Sequence, residues 1–151
     1  FIKNGDELVR PLQNELRLVM WKYCGVIKNE KLLLEGLSKI ERIKTKLNDI
    51  DVRIDDYNCE DLALIFDLQS SLFSAKATIV SALQRKESRG AHQRSDFPIL
   101  DPMNQFNCLV GMDVNSNLKI STVPLKELSE KQKIIVRNIK REDDIRNKLL
   151  E

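Results

Sequence analysis

Apolar residues recur along this chain first at helical period and then at strand period. Leu8, Leu12, Leu16, Val19 and Tyr23 follow one another at steps of four, four, three and four, which puts them on one face of a helix. Gly25 stops that pattern near Cys24, and Pro11 fits the first turn, where its missing N–H costs no hydrogen bond. From Asn29, a residue suited to an N-cap, Leu33, Leu37, Ile40, Ile43, Leu47 and Ile50 form a second stripe with Lys and Glu on the opposite face. A third helix is predicted to open at Asn58, with Glu60 and Asp61 in its first turn, and to run to Arg89. Its stripe is Ile65, Leu68, Leu72, Ala75, Ile79 and Leu83, and Phe66, Phe73, Ala77 and Val80 widen the apolar arc. This helix is therefore expected at the centre.

Beyond Pro98 the period changes. Phe106, Cys108, Val110 and Met112 alternate with Asn107, Leu109, Gly111 and Asp113, Val114 to Asn117 supplies turn chemistry, and Leu118, Ile120 and Thr122 alternate again. A β-hairpin follows from this, and two strands alone are marginal in water, so it must lean on other structure. Ser129 with Gln132 makes a capping box for a terminal helix carrying Ile135, Ile139, Ile145 and Leu149. The fold class expected is mainly α: an up-down three-helix bundle of the spectrin-repeat kind over 1–98, then turn, β-hairpin and C-terminal helix over 99–151, all in one domain. Burial of the three stripes, at ~25 cal/mol per Å² of apolar surface, is its main stabilising term.

Composition narrows the chemistry. The 151 residues fit one domain, 42% are hydrophobic and 32% charged, and 25 basic against 23 acidic residues leave a net charge of +2. So weak a field gives no reason to expect nucleic acid or anionic lipid as a partner. Cys24, Cys59 and Cys108 are odd in number and lack CxxC spacing, which argues against a disulfide framework and a zinc site. Asp49, Asp51, Asp55 and Asp56 cluster, but without the central glycine and closing glutamate of a calcium loop, so they read as a solvated turn. No uninterrupted apolar run approaches ~18 residues, so no direct membrane insertion is expected. There is no GxGxxG, no Walker A loop and a single histidine, so the chain assembles no dinucleotide site and no histidine-centred triad. Catalytic, cofactor-binding and metal residues are all expected to be absent from it. The start at Phe1 points to a piece of a longer protein.

The densest chemistry is Glu87-Ser88-Arg89-Gly90-Ala91-His92-Gln93-Arg94-Ser95-Asp96-Phe97-Pro98. Taken by itself it reads as a charged helix end, with Arg85, Lys86 and Arg89 at the negative pole and Gly90 as the left-handed residue after it. Yet ESRGAHxRxDxP resembles the signature near the C-terminal end of the flavoprotein subunits of succinate dehydrogenase and fumarate reductase, shared in variant form with L-aspartate oxidases. Cys24-Gly25-Val26 with basic Lys28, a leucine-rich helix from near Leu32, and Lys119 to Leu125 resemble further parts of that family in the same order, covering about Leu8 to Leu125. Lys28 stands where the family usually has arginine, and Ile99-Leu100-Asp101-Pro102 stands where an arginine and paired aspartates are common. The histidine of the following strand is missing too, while Gly90-Ala91-His92 and the hairpin lean toward the first two enzymes.

The resemblance implies an FAD-dependent oxidoreductase in which hydride passes between flavin N5 and a C4 dicarboxylate. The flavin and the catalytic arginine, histidine and acidic residues would lie in other domains. What carries over is a structural role: Glu87, Ser88, Arg89, Gly90, His92, Arg94, Asp96 and Pro98 would form the interface with the FAD-binding domain of the same chain. Their charges are expected to serve a surface left unfilled by these residues alone. An iron–sulfur subunit is a further implied partner, and the implied location is cytoplasmic, peripheral to a membrane complex. The competing reading is a free-standing helical protein–protein interaction module with no redox role.

Overall fold

A computed structural model describes residues 5–52, 59–114 and 117–138 of the chain. Among these, helix α1 spans Val9–Tyr23, strand β1 Ile27–Lys28, α2 Glu30–Lys46, α3 Glu60–Gln84, strand β2 Gln93–Arg94, β3 Phe106–Met112 and β4 Leu118–Pro124. Residues 130–138 are helical as well and are called α4. The expected mainly α bundle with a hairpin and a terminal helix is the observed fold.

The contacts give the direction of each helix. Glu7 N donates to Asp49 O at 3.1 Å and Asp51 N to Glu7 O at 2.7 Å, while the Tyr23 hydroxyl reaches Glu35 at 2.9 Å. So the start of α1 meets the end of α2. Lys76 pairs with Glu41 across α2 and α3, and Arg10 with Glu60 joins the starts of α1 and α3. The arrangement is up, down, up. Leu12, Leu33, Ile40, Ile43, Leu68 and Ile79 are buried almost completely, and each such side chain stabilises the fold by about 1.5 to 3 kcal/mol.

Local chemistry accounts for the ends. Pro11 lies in the first turn of α1 as expected, and Asn29 caps α2 by accepting the Leu32 N–H at 2.9 Å. Gly36 is buried where α1, α2 and α3 converge, and a Cβ there would lie 2.7 Å from Tyr23 Cβ and 3.2 Å from Ile79 Cδ1. Only glycine permits that approach. The wide apolar arc of α3 is covered in part: Ile65, Leu68, Leu72, Ala75, Ile79 and Ala82 are buried, Phe73 and Val80 half-buried, and Phe66 exposed. By length and composition α3 could cross a membrane, although polar residues interrupt it. Its apolar stripe forms the core with α1 and α2, which accounts for that composition.

The hairpin pairs Phe106 with Pro124 through Met112 with Leu118, and both strands pack on α3. In β3, Phe106, Cys108 and Val110 turn inward while their neighbours face out. In α4, Ser129 and Gln132 make the expected capping box, and Ile134, Ile135 and Val136 are exposed. Asn58, Asp55, Asp56, Asn115, Ser116, Ile139, Ile145 and Leu149 lie outside the described residues.

One boundary differs from expectation. Helix α3 stops at Gln84, with Arg85 extended at φ −87° and ψ 99°, so the run from Glu87 to Arg89 is not a helix end. Its direction is reversed instead by β2, which pairs in parallel with β1, Ile27 beside Gln93 and Lys28 beside Arg94.

Candidate functional site

The segment from Arg85 to Asn104 folds back over the end of α3 as two interlocked charge clusters. Each begins from a sequence feature that local propensity does not explain.

The first cluster is built on Arg94, whose side chain is 1% exposed. Its Nη1 donates to the Ala82 carbonyl at 2.7 Å and to the Arg85 carbonyl at 3.4 Å. These carbonyls lie in and just past the last turn of a helix, where a cation is favoured. Its Nε and Nη2 meet both oxygens of Asp96 at 2.7 Å, the bidentate geometry of a strong arginine–carboxylate pair. Asp96 in turn accepts the Glu30 N–H at 2.8 Å, at the amide end of α2. The ion pair therefore joins the negative pole of α3 to the positive pole of α2. Arg94 holds the Asp96 carboxyl well below the usual range, and the Glu30 amide adds to this against the cost of burial.

The second cluster is built on Glu87, whose side chain has no exposure. It accepts from Arg89 Nε and Nη2 at 3.0 Å each, from Arg85 Nη1, and from the Asp101 N–H at 3.0 Å. Arg89 lowers its pKa most, with Arg85 and the Asp101 amide contributing, and against burial these hold it at about 2. Arg85 also donates to the carbonyls of Asn104, at 3.3 Å, and Phe106, and lies over the Phe106 ring at 4.5 Å. Arg89 reaches the Asp101 carbonyl at 3.0 Å. So one buried carboxylate fastens the entry to the hairpin.

Between the clusters the backbone turns twice. Arg89 and His92 exchange both N–H···O bonds, at 2.8 and 3.0 Å, around Gly90 at φ +56°, a conformation that glycine adopts freely. The Ser88 hydroxyl accepts the Arg94 N–H at 2.9 Å and donates to the Phe97 carbonyl at 2.9 Å. His92 is half-buried; burial pushes its imidazole below the usual value, the Arg85 carbonyl opposes this, and Lys28, Arg94 and Arg85 reinforce it. The ring's Nε2 lies 3.2 Å from the Arg85 carbonyl, which can only accept, so the ring nitrogen donates there.

All eight residues singled out by sequence come together here, but not as expected. Glu87, Ser88 and Arg94 are buried within this chain, and no buried side-chain nitrogen or oxygen among the described residues lacks a hydrogen-bond partner. The inner charges are satisfied from within, so they do not wait for an outside surface. Arg89, at 38% side-chain exposure, and Gly90, Asp96 and Pro98 reach the outside. Arg85 is the member of these clusters that sequence reasoning does not single out, because beside Lys86 it looks like an ordinary helix-end cation. Cys108 is half-buried in β3 and lines a cavity with Lys28, Arg85 and His92, and burial pushes the Cys24 thiol up despite Lys28.

A family model described as the C-terminal part of fumarate reductase flavoprotein matches residues 13–142. An uncharacterised FAD-dependent oxidoreductase of Methanocaldococcus jannaschii is 43% identical over 94 residues, which is 62% of this chain and 17% of that protein. An L-aspartate oxidase of Acinetobacter baylyi is 30% identical over 129 residues, 84% of this chain and 22% of the relative. Among solved structures, the fold resembles Escherichia coli quinol fumarate reductase FrdA with a TM-score of 0.74 at 23% identity, over 84% of this chain and 22% of that one. The chain thus spans about a fifth of the length of these relatives.

Proposed function

This chain belongs to the family of fumarate reductase flavoprotein C-terminal domains, and from that premise we propose that it serves an FAD-dependent oxidoreductase acting on a C4 dicarboxylate by packing against the flavin-binding part of the same polypeptide. Flavoproteins of this family use FAD, and the match favours this reading over a free-standing interaction module. Glu87, Ser88 and Arg94 act as the inner scaffold of the junction, and Arg89, Gly90, His92, Asp96 and Pro98 form its outer side, with Asp96 tied to the scaffold through Arg94. We read residues 1–98 and 99–151 as one domain, a reading supported by the bonds from Arg85 to Asn104 and from the Asp101 N–H to Glu87. An iron–sulfur subunit as a further partner, and a cytoplasmic position peripheral to a membrane complex, belong to the same proposal.

The observation that carries it is the bidentate Arg94–Asp96 pair joining two helix poles inside the ESRGAHQRSDFP run. A pair so placed fixes the loop with little conformational freedom, which is what a domain junction requires. Among the described residues, the starts of α2 and α3 do not fit FAD. Its pyrophosphate needs open amides after a glycine-rich turn, yet the amide end of α2 is taken by Asp96, and α3 begins with Glu60 and Asp61. When bound elsewhere in the polypeptide, the flavin supplies hydride transfer; the part of these residues is to hold one wall of its domain in place.

The test is purification of the polypeptide encoded by the complete reading frame. Bound FAD near one per chain and dicarboxylate-dependent oxidation or reduction are expected. A product without flavin would remove the reading.

A further inference from the structure

The loop from Ile99 to Met103 is fastened on its inner side and apolar on its outer side. Ile99, Leu100 and Met103 are 79%, 46% and 88% exposed. Loops that present such residues to water are ordinarily loose, because nothing offsets the entropy of ordering them. This one is tied at almost every backbone position. Ser88 N donates to Ile99 O at 3.3 Å, Asp101 N to buried Glu87 at 3.0 Å, and Arg89 Nη2 to Asp101 O at 3.0 Å. Asp101 then folds the next turn, accepting the Met103 N–H on its side chain at 2.9 Å and the Asn104 N–H on its carbonyl at 3.2 Å.

The burial of Glu87 thus has an outward consequence. A carboxylate removed from water needs several donors to be tolerated, and here two of its ties, the Asp101 amide and Arg89, set the backbone that displays the three apolar side chains. A surface ordered in advance loses less entropy on contact, and that is the property of a docking ridge.

Resting on the flavoprotein reading above, we propose that the Ile99–Leu100–Met103 ridge is the surface on which an apolar patch of the flavin-binding part of the same polypeptide seats. Two observations select that occupant. The chain matches only 14 to 22% of the length of its curated relatives, so most of such a protein lies outside these residues. The ridge also continues directly from Pro98 and shares Glu87 and Arg89 with the junction. The contact is apolar, and the charges behind it set its shape.

Oxidation of Met103 by dilute hydrogen peroxide, followed by mass spectrometry on the full-length protein, tests this. At 88% exposure an uncovered Met103 should oxidise at close to the rate of the same protein unfolded in urea. Seated as proposed, it should be slower by at least about tenfold in a flavin-loaded monomer, because peroxide must reach the thioether sulfur. Leu100→Glu should abolish the protection and release flavin, while Leu100→Met should keep both. If flavin is bound but Met103 oxidises at the unfolded rate, the ridge is not the seat, and the flavoprotein reading stands. Protection that disappears when a dimer is diluted assigns the ridge to a second copy of the chain and overturns the proposal. A full-length protein without flavin overturns both readings together.

Discussion

Arg94 and Glu87 are the two charges on which the fold of the 85–104 segment depends, and their partners rank the surrounding substitutions. Arg94→Ala would strip two carbonyls of a donor and leave Asp96 beside α2 without its cation, so a loss of about 3 to 5 kcal/mol is expected. Arg89→Ala removes one of two arginines on Glu87 but leaves Arg85 and the Asp101 amide; about 1 to 3 kcal/mol is expected. That exceeds what an exposed ion pair would lose, because Glu87 is buried. Urea unfolding of the three proteins checks the order, and equal midpoints would refute it. The pH dependence has a definite sign. With its folded pKa near 2 against an ordinary 4.5, Glu87 binds fewer protons folded than unfolded, so its stabilisation is present above pH 4.5 and is lost as pH falls toward 2. Glu87→Gln should flatten that acid limb of a stability profile, and an unchanged slope would contradict the assignment. None of this burial is legible in the sequence, where Glu87 is one charge in a charged run and its shelter comes from Arg85, Arg89 and Asp101 across a turn.

Helix periodicity, by contrast, is informative along the middle of each helix, where Leu12, Leu16, Leu33, Ile40, Leu68 and Ile79 are buried as the stripes require, and Asn29 and Ser129 name two caps. At the ends it slips by one residue: Leu8 is exposed and Val9 buried in its place, and Ala82 is buried where the stripe names Leu83, because the chain leaves the helix there and the period no longer fixes which face is inward. The end of α3 does not follow, since Arg85, Lys86, Glu87 and Arg89 are no poorer as helix formers than the residues before them. Past the end of α3, Arg94 arrives from outside and takes the Ala82 carbonyl that a further turn would have used. The β1–β2 pair is likewise too short to carry alternation, and nothing in the sequence marks Gly36 as a point of close approach. Gly36→Ala should gain up to about 1 kcal/mol of helix propensity and yet lose overall, because forcing a methyl against Tyr23 Cβ costs about 1 to 3 kcal/mol. Ala75→Asp places a charge among Leu72, Ile79 and their partners in the core, and should cost several kcal/mol. Gln69→Glu, on the exposed side of the same helix, should change stability by under about 0.5 kcal/mol. Lys46 would be a poor control, since its ammonium pairs with Glu15 at 3.0 Å and Glu7 at 3.6 Å. A midpoint for Ala75→Asp close to that of Gln69→Glu would be incompatible with the bundle.

Taken whole, the described residues have the core of a folded unit, and on the reading proposed above the flavin is held elsewhere in the polypeptide. A net charge of +2 spread over 25 basic and 23 acidic residues gives no field to gather a dinucleotide. At the starts of α2 and α3, the Glu30 N–H of α2 already donates to Asp96, and α3 carries two carboxylates in its first turn that oppose an anion. The family is legible in the order of residues within the ESRGAHQRSDFP run, whereas the division of labour inside that run, inner scaffold against outer face, depends on contacts with Ala82, Glu30 and Asp101 that lie elsewhere in the chain. Residues 1–151 expressed alone should therefore give a helical far-ultraviolet spectrum and a colourless protein. FAD added to it should bind more weakly than about 1 mM, equivalent to less than about 4 kcal/mol of association free energy. Gel filtration after incubation with FAD measures this directly. Flavin that travels with these residues at one per chain would mean that the domain builds a cofactor site of its own, and its role would then be binding and not support.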